Sequence, residues 1–483
     1  MKLLKFFILM LSVLYIVGCN DFLDEEPVSF LSAENFFKTR EDAVAAVNAA
    51  YDPLATGAYY GQQFFVQLEM KAEYCFGRGS HQPPGVYNLD QRNQDRTAGI
   101  WRSAYLSINR ANAVLERIPA MEIDEALKNR VLAEAHFLRA LNYFNLVRLW
   151  GEVPLHENEI DEIQPFSFPR TAVDEIYTLI VQDLLTAEQN LLTKSEQSQP
   201  TELFRATIGA AQTLLADVYL TRGQYSEAME KALAVINSGE YSLEPNLLDI
   251  YDANLQTNSE DVFSVKFSRI DGLGSSLPVF IHNANAGYSS GGFRTILGNT
   301  QSFLSTWEAE DFRRDVNLYT LPEDSTFLTA SEPILYKKYI DREAQGNHSN
   351  DFPVYRYPDV LFIYAEADIR QSGSLSSQGL EYINMVHRRA FGREVNTTDP
   401  SFDFASGLTS DEYLNIIFDE RGKEFLLESK RWFDMLRFDR VEELITTSKP
   451  DVVFSSTLLL WPIPQEEIDN NEALSQEDQN PGY

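Results

Sequence analysis

The chain is poor in cysteine, with two in 483 residues, Cys19 and Cys75. Cys19 closes an N-terminal apolar run and is the expected site of lipid attachment. That leaves Cys75 without a partner and excludes a disulfide framework. No activating base stands near Cys75 in the sequence, so its thiol reads as a small buried hydrophobe. Histidine is also scarce, six in all. There is no His-Glu-x-x-His and no Cys/His cluster, so neither a metal nor another cofactor is expected. Basic residues are outnumbered, 40 Lys and Arg against 72 Asp and Glu, for a formal net charge of −32. Such a chain repels nucleic acid and anionic lipid headgroups. It also weighs against polyanionic ligands unless local arginines override the field, which salt screens beyond about 10 Å. Past residue 18 no run of roughly 18 apolar residues occurs, so no further membrane span is expected. No low-complexity linker divides the chain.

What is present begins with Lys2 and Lys5 ahead of an apolar run over 6–18 that ends Ile16-Val17-Gly18-Cys19. A basic start, a short apolar core and a small residue before cysteine make a lipoprotein signal peptide. The run is too short for the ~20 residues of a spanning helix. Residues 1–18 are therefore expected to be removed, leaving Cys19 acylated, palmitate included, and residues 19–483 tethered to a membrane as one domain.

Helical periodicity dominates the rest. Thr39 followed by Glu41 and Asp42 opens a helix with a good cap. Trp101, Tyr105, Ile108, Ala111 and Leu115 mark another. A long helix covers 125–150 and is stopped by Gly151 and Pro154. Further helices are predicted at 172–192, 202–221, 225–237, 359–370, 375–390, 410–428 and 431–444. The offsets of Leu215, Ala216, Tyr219, Gly223, Tyr225, Ala228 and Ala232 resemble a tetratricopeptide unit, with a looser echo over 361–389. Hairpins stacked this way bury a continuous core. Two irregular stretches, near 57–96 and 241–357, interrupt the helices with glycines, prolines and scattered aromatics. Long loops of this kind are functional or mobile.

Several blocks fall in an order that resembles the SusD/RagB family of outer-membrane nutrient-binding lipoproteins. These are Cys19-Asn20-Asp21-Phe22-Leu23-Asp24, then Ala133-Glu134-Ala135-His136-Phe137-Leu138-Arg139-Ala140 leading to Leu149-Trp150-Gly151. Arg356-Tyr357-Pro358-Asp359 with Ala365-Glu366-Ala367 follows, then Glu420-Arg421-Gly422-Lys423-Glu424-Phe425 with Arg431-Trp432-Phe433-Asp434. The endings are Pro462-Ile463-Pro464 and Asn480-Pro481-Gly482-Tyr483. The resemblance implies a mainly α fold, a right-handed superhelix of tetratricopeptide-like helical hairpins with loop-rich inserts. It implies a lipid-anchored outer-membrane protein on the extracellular face, partnered by a SusC-like TonB-dependent transporter. Its task would be to capture a nutrient glycan rather than to catalyse a reaction.

Within the signature helices, Glu134, His136 and Arg139, and Arg421, Glu424, Arg431 and Asp434, read as paired scaffold charges. A sugar binder needs flat aromatic faces for the C–H side of pyranose rings, with amides or arginines for the hydroxyls. The first irregular stretch offers Phe76, Arg78, His81, Tyr87 and Asn88, with Gln91 and Arg92. The second offers Asn283, Asn285, Tyr288, Phe293 and Arg294, with Trp307 beyond. Tyr59 and Tyr60 stay open as candidates, while Phe64 and Phe65 read as packing. The expected ligand is a neutral or weakly charged glycan. Oligopeptide capture on the same scaffold is the alternative. Gly287-Tyr288-Ser289-Ser290-Gly291 spells a nucleophile elbow, but that motif needs a strand and a helix around it. A serine hydrolase acting through Ser289 is the weaker alternative.

Overall fold

A computed structural model describes residues 36–160, 166–319 and 334–483. The signal segment, Cys19 and the tether after it lie outside the described residues.

The first helix among the described residues, Arg40–Tyr51, is set by the predicted cap. Thr39 Oγ1 accepts from Asp42 N at 3.2 Å, and Asp42 Oδ2 accepts from Thr39 N at 2.8 Å, a reciprocal capping box. Asp90 caps Gln91–Arg117, and Asp124 caps Glu125–Trp150, which stops at Gly151 with φ 74°. The Glu125–Trp150 helix is buried over most of its length because it lies between Gln91–Arg117 and Val173–Ala187. Next come Ile208–Thr221 and Tyr225–Ser238, an antiparallel hairpin whose small residues Ala210, Ala211, Ala216, Ala228 and Ala232 are buried between neighbours. Tyr225–Ser238 packs directly on Tyr357–Ser372, which pairs with Ser377–Ala390. The second irregular stretch is thus spliced between two hairpins that stack as though consecutive. The result is the predicted mainly α, tetratricopeptide-like scaffold around a contiguous apolar core. Among the described residues no helix is long and apolar enough to cross a membrane.

Several predicted boundaries are corrected. Residues 172–192 hold a helix only over Val173–Ala187. The helix placed at 202–221 starts at Ile208, because Thr207 caps it by accepting from Ala210 N at 3.1 Å. The one placed at 410–428 ends at Glu424, ahead of left-handed Leu427 and Ser429. The one placed at 431–444 is two helices, Arg431–Arg437 and Val441–Ser448, with Asp439 at φ 54° between them. The first irregular stretch contains a helix, Gln63–Lys71, that buries Phe64 and Phe65.

The signature blocks are structural. Arg139 grips Asp183 with Nε and Nη2, both at 2.8 Å, and His136 Nδ1 lies 2.6 Å from the same carboxylate. Glu134 pairs with Arg205 at 2.6 Å and Arg130 at 3.1 Å. Arg421 pairs with Asp434 at 2.9 Å, and Arg431 with Glu73 at 2.6 Å. At the end of the central helix, Trp150 Nε1 donates to Pro462 O at 2.8 Å, while Asn480 Nδ2 donates to Trp150 O at 2.9 Å and Trp461 O at 2.7 Å. The Pro-Ile-Pro and Asn-Pro-Gly-Tyr endings therefore clasp the Leu-Trp-Gly block.

Candidate functional site

The two irregular stretches converge. Strand Cys75–Gly77 of the first pairs antiparallel with strand Ile296–Gly298 of the second, Phe76 opposite Leu297. The pairing runs one residue further, Arg78 N donating to Thr295 O at 2.9 Å. Just before that strand, 279–295 folds back on itself. Phe293 N donates to Val279 O, Arg294 N to His282 O and Thr295 N to Phe280 O, at 2.7, 3.1 and 2.7 Å. Asn283 and Phe293 form an antiparallel bridge. Gly292 is required at this base, since a Cβ there would stand 2.3 Å from His282 O. The loop is tied on its other side by Asp341 N, which donates to Tyr288 O at 2.9 Å.

The aromatics in this region divide by burial. Phe293 is 68% exposed and stands edge-on to buried Phe280, ring centroids 6.2 Å apart. Tyr288 is half-buried, edge-on to Tyr319 at 5.1 Å, with the Arg342 guanidinium 5.7 Å from its ring centre. Phe76 is half-buried, while Arg78 and Asn88 are exposed. Arg294 is half-buried, and its charge reaches the Tyr319 hydroxyl. Phe76, Arg78, Tyr288, Phe293 and Arg294 lie on the two stretches that the strand pairing joins, while Asn88 lies on the segment that follows the first strand. Phe280, Tyr319 and Arg342 complete the region and were not anticipated. Nothing local marks Arg342 as a neighbour of Tyr288, because the contact is wholly tertiary.

Three candidates are corrected by burial. Tyr87 is 8% exposed, its hydroxyl donates to Lys71 O, and its ring stands 6.0 Å from that of Trp432. It offers no free face. Trp307 is 5% exposed and spends its Nε1 proton on Asp311 Oδ2 at 2.9 Å. His81 is 6% exposed, edge-on to Phe280 at 5.4 Å. Burial, with Arg96 and Arg92 close by, pulls its imidazole down to about 4, so it is neutral at pH 7. Tyr59 and Tyr60 are core residues, each hydroxyl accepting from Asn145 Nδ2 at 2.7 Å. Cys75 is buried with its thiol turned to Glu69 O, and burial pushes its pKa up, as an unreactive thiol requires. Ser289 Oγ donates to Gly291 O within an irregular loop, with neither the strand nor the helix of a nucleophile elbow around it.

Two clefts, of about 410 and 340 Å³, open elsewhere along the second irregular stretch. Both are lined by Ala253, Asn254 and Arg269, and Arg342 lines the second as well as covering Tyr288. Arg269 forms the wall between them, its Nη2 donating to Asn254 Oδ1 at 3.0 Å and Asp341 Oδ1 at 2.8 Å. The region therefore combines an exposed ring, a half-buried tyrosine pair and arginines, and Arg342 links it to the second cleft. That is equipment for holding a ligand.

Comparison with known proteins agrees with this architecture. Residues 315–483 match the family model described as the SusD family, and residues 21–220 match one described as starch-binding, associating with the outer membrane. The SusD-like protein P2 of Formosa agariphila is 30% identical over 98% of both chains. A SusD homologue from Bacteroides thetaiotaomicron superposes with a TM-score of 0.82 at 22% identity, over 93% of this chain and 98% of that one. Surface glycan-binding protein A from Bacteroides fluxus superposes with a TM-score of 0.79 at 22% identity, over 92% and 100%.

Proposed function

Because the chain belongs to the SusD family, we propose that it captures a nutrient glycan at the outer-membrane surface and passes it to a SusC-like TonB-dependent transporter. Cys19 would carry the lipid anchor on the extracellular face. The observation that carries the reading is the strand pairing of Cys75–Gly77 with Ile296–Gly298, which brings Phe76, Arg78, Tyr288, Phe293 and Arg294 into one region with Asn88 on the adjoining loop. Phe293 and Tyr288 would supply stacking faces, and Arg78, Asn88 and Arg294 would supply hydrogen bonds. The description of the matching model as starch-binding supports a glycan.

The same geometry favours a glycan over a peptide. A peptide groove presents free main-chain donors, whereas the N–H groups of Arg78, Phe293, Arg294 and Thr295 are spent inside the loop. The test is affinity electrophoresis of residues 20–483 through gels containing a range of polysaccharides. Retardation by one of them supports capture. Retention of oligopeptides with no glycan retardation would overturn it.

A further inference from the structure

Carboxylates are in surplus in this chain, and its arginines are ordinarily paired with them. Even exposed or partly exposed Arg102, Arg222 and Arg393 find Glu466, Asp174 and Asp399. The candidate site departs from that pattern. Arg78, Arg92 and Arg342 are exposed, and among the described residues none has a carboxylate within 4.0 Å. They fall in two sets, one about His81 and one about Tyr288. Arg92 and Arg96 act together on buried His81, three residues from Arg78. Arg342 lies over Tyr288, and Arg294 acts on Tyr319 next to it. The Gln91–Arg117 helix adds the partial positive charge of its N-terminus beside Arg92.

The acidic neighbours make their closest contacts elsewhere: Asp341 and Glu343, on either side of Arg342, pair with Arg269, and Asp90 offsets only part of the field of Arg92 and Arg96 at His81. Asp90 caps the helix, accepting from Asn93 N at 3.0 Å and Asn93 Nδ2 at 2.6 Å, and Asp95 accepts from Gln91 Nε2 at 2.9 Å. The overall charge of −32 does not decide what binds here, since at ordinary salt its field fades over about 8–10 Å. Contact-range arginines decide instead, and a neutral sugar would leave most of their charge unused.

Resting on the capture reading above, we propose that the ligand is an anionic glycan. Its rings stack on Phe293 and Tyr288, and its carboxylate or sulfate groups engage Arg78, Arg92 and Arg342. Guanidinium suits both anions because its planar fork can donate two parallel hydrogen bonds.

The test is isothermal titration of residues 20–483 with two matched pairs of probes. Polygalacturonate oligosaccharides against their carboxyl-reduced form give the carboxylate arm. Kappa-carrageenan oligosaccharides against their desulfated form give the sulfate arm. One anionic probe should bind, its uncharged counterpart should bind about tenfold or more weakly, and affinity should fall as salt rises. Arg78→Gln and Arg342→Gln should each weaken binding about tenfold, the weight of one charge-assisted hydrogen bond, with the unfolding temperature unchanged. Equal affinity for charged and uncharged partners would overturn the inference. So would binding of a neutral glycan such as amylose or laminarin, dependent on Phe293, with no affinity for either anionic probe. That second result would leave glycan capture standing, whereas no binding by any probe, charged or neutral, would end both.

Discussion

Phe293 and Tyr87 read alike in the sequence, each an aromatic among loop residues close to glycine, yet they have opposite surroundings. Phe293 is 68% exposed and touches one buried ring, whereas Tyr87 is packed against Trp432 with its hydroxyl bonded to Lys71 O. The difference is set by residues far along the chain, and neither periodicity nor local composition carries it. Phe293→Ala should weaken glycan binding roughly 2- to 12-fold, the range of an aromatic contact worth about 0.5–1.5 kcal/mol, and leave the unfolding temperature in place. Tyr87→Ala should instead cost about 3–5 kcal/mol of stability, read as a lowered urea midpoint. That the two irregular stretches carry the candidate loops was legible, because glycine, proline and aromatics without helical periodicity mark loops rather than helices. Which candidate rings stay accessible was not legible, since burial leaves Phe293 and part of Tyr288 open and encloses Tyr87, His81 and Trp307.

At the scale of elements, some helices with a chemical start or stop were legible to within a residue or two, though the Thr207 cap of Ile208–Thr221 was passed over. Thr39 with Asp42, and Asp124 with Gly151, are examples. Boundaries failed where the backbone turns left-handed at ordinary residues, as at Leu427, Ser429 and Asp439. Loop closure was equally hidden, because it depends on Gly292 lying against His282 O. Gly292→Ala should open the base of the 279–295 loop and abolish measurable glycan retardation, with a small change in thermal midpoint because the site lies at the surface. In the helical scaffold, Gly209 faces Tyr241, whose hydroxyl would stand 2.4 Å from an added Cβ. Gly209→Ala should therefore destabilise by about 1–3 kcal/mol through overpacking, visible in chemical denaturation with ligand affinity retained.

Over the whole molecule, a buried ion network joins the second irregular stretch to the helices. Arg356 pairs with Glu260, Glu424 and Glu428, Arg389 with Glu260 and Glu424, Lys338 with Glu428 at 2.6 Å, and Arg313 with Glu420 at 3.0 Å. Burial alone would push the carboxyls up, but the surrounding cations overcome it and hold Glu420 and Glu428 at about 2 and Glu424 lower still. The unfolded chain, with carboxyls near 4.5, binds more protons than the folded one at acid pH. The network's contribution is therefore full above about pH 4.5 and is lost as pH falls toward 2. Glu428→Gln should cost about 3–5 kcal/mol at pH 7, because Arg356 and Lys338 lose a buried counter-charge. It should also flatten the loss of stability between pH 5 and pH 3, as followed by urea unfolding at each pH.

The central claim is that one face, built where the two irregular stretches meet, holds the glycan. Its most direct test is isothermal titration of the glycan that retards residues 20–483, comparing the parent chain with the Phe293→Ala, Tyr288→Ala double variant. The account predicts a large loss of affinity in a variant that unfolds at the parent's temperature. Unchanged affinity in the double variant would contradict it and place the ligand elsewhere on the molecule.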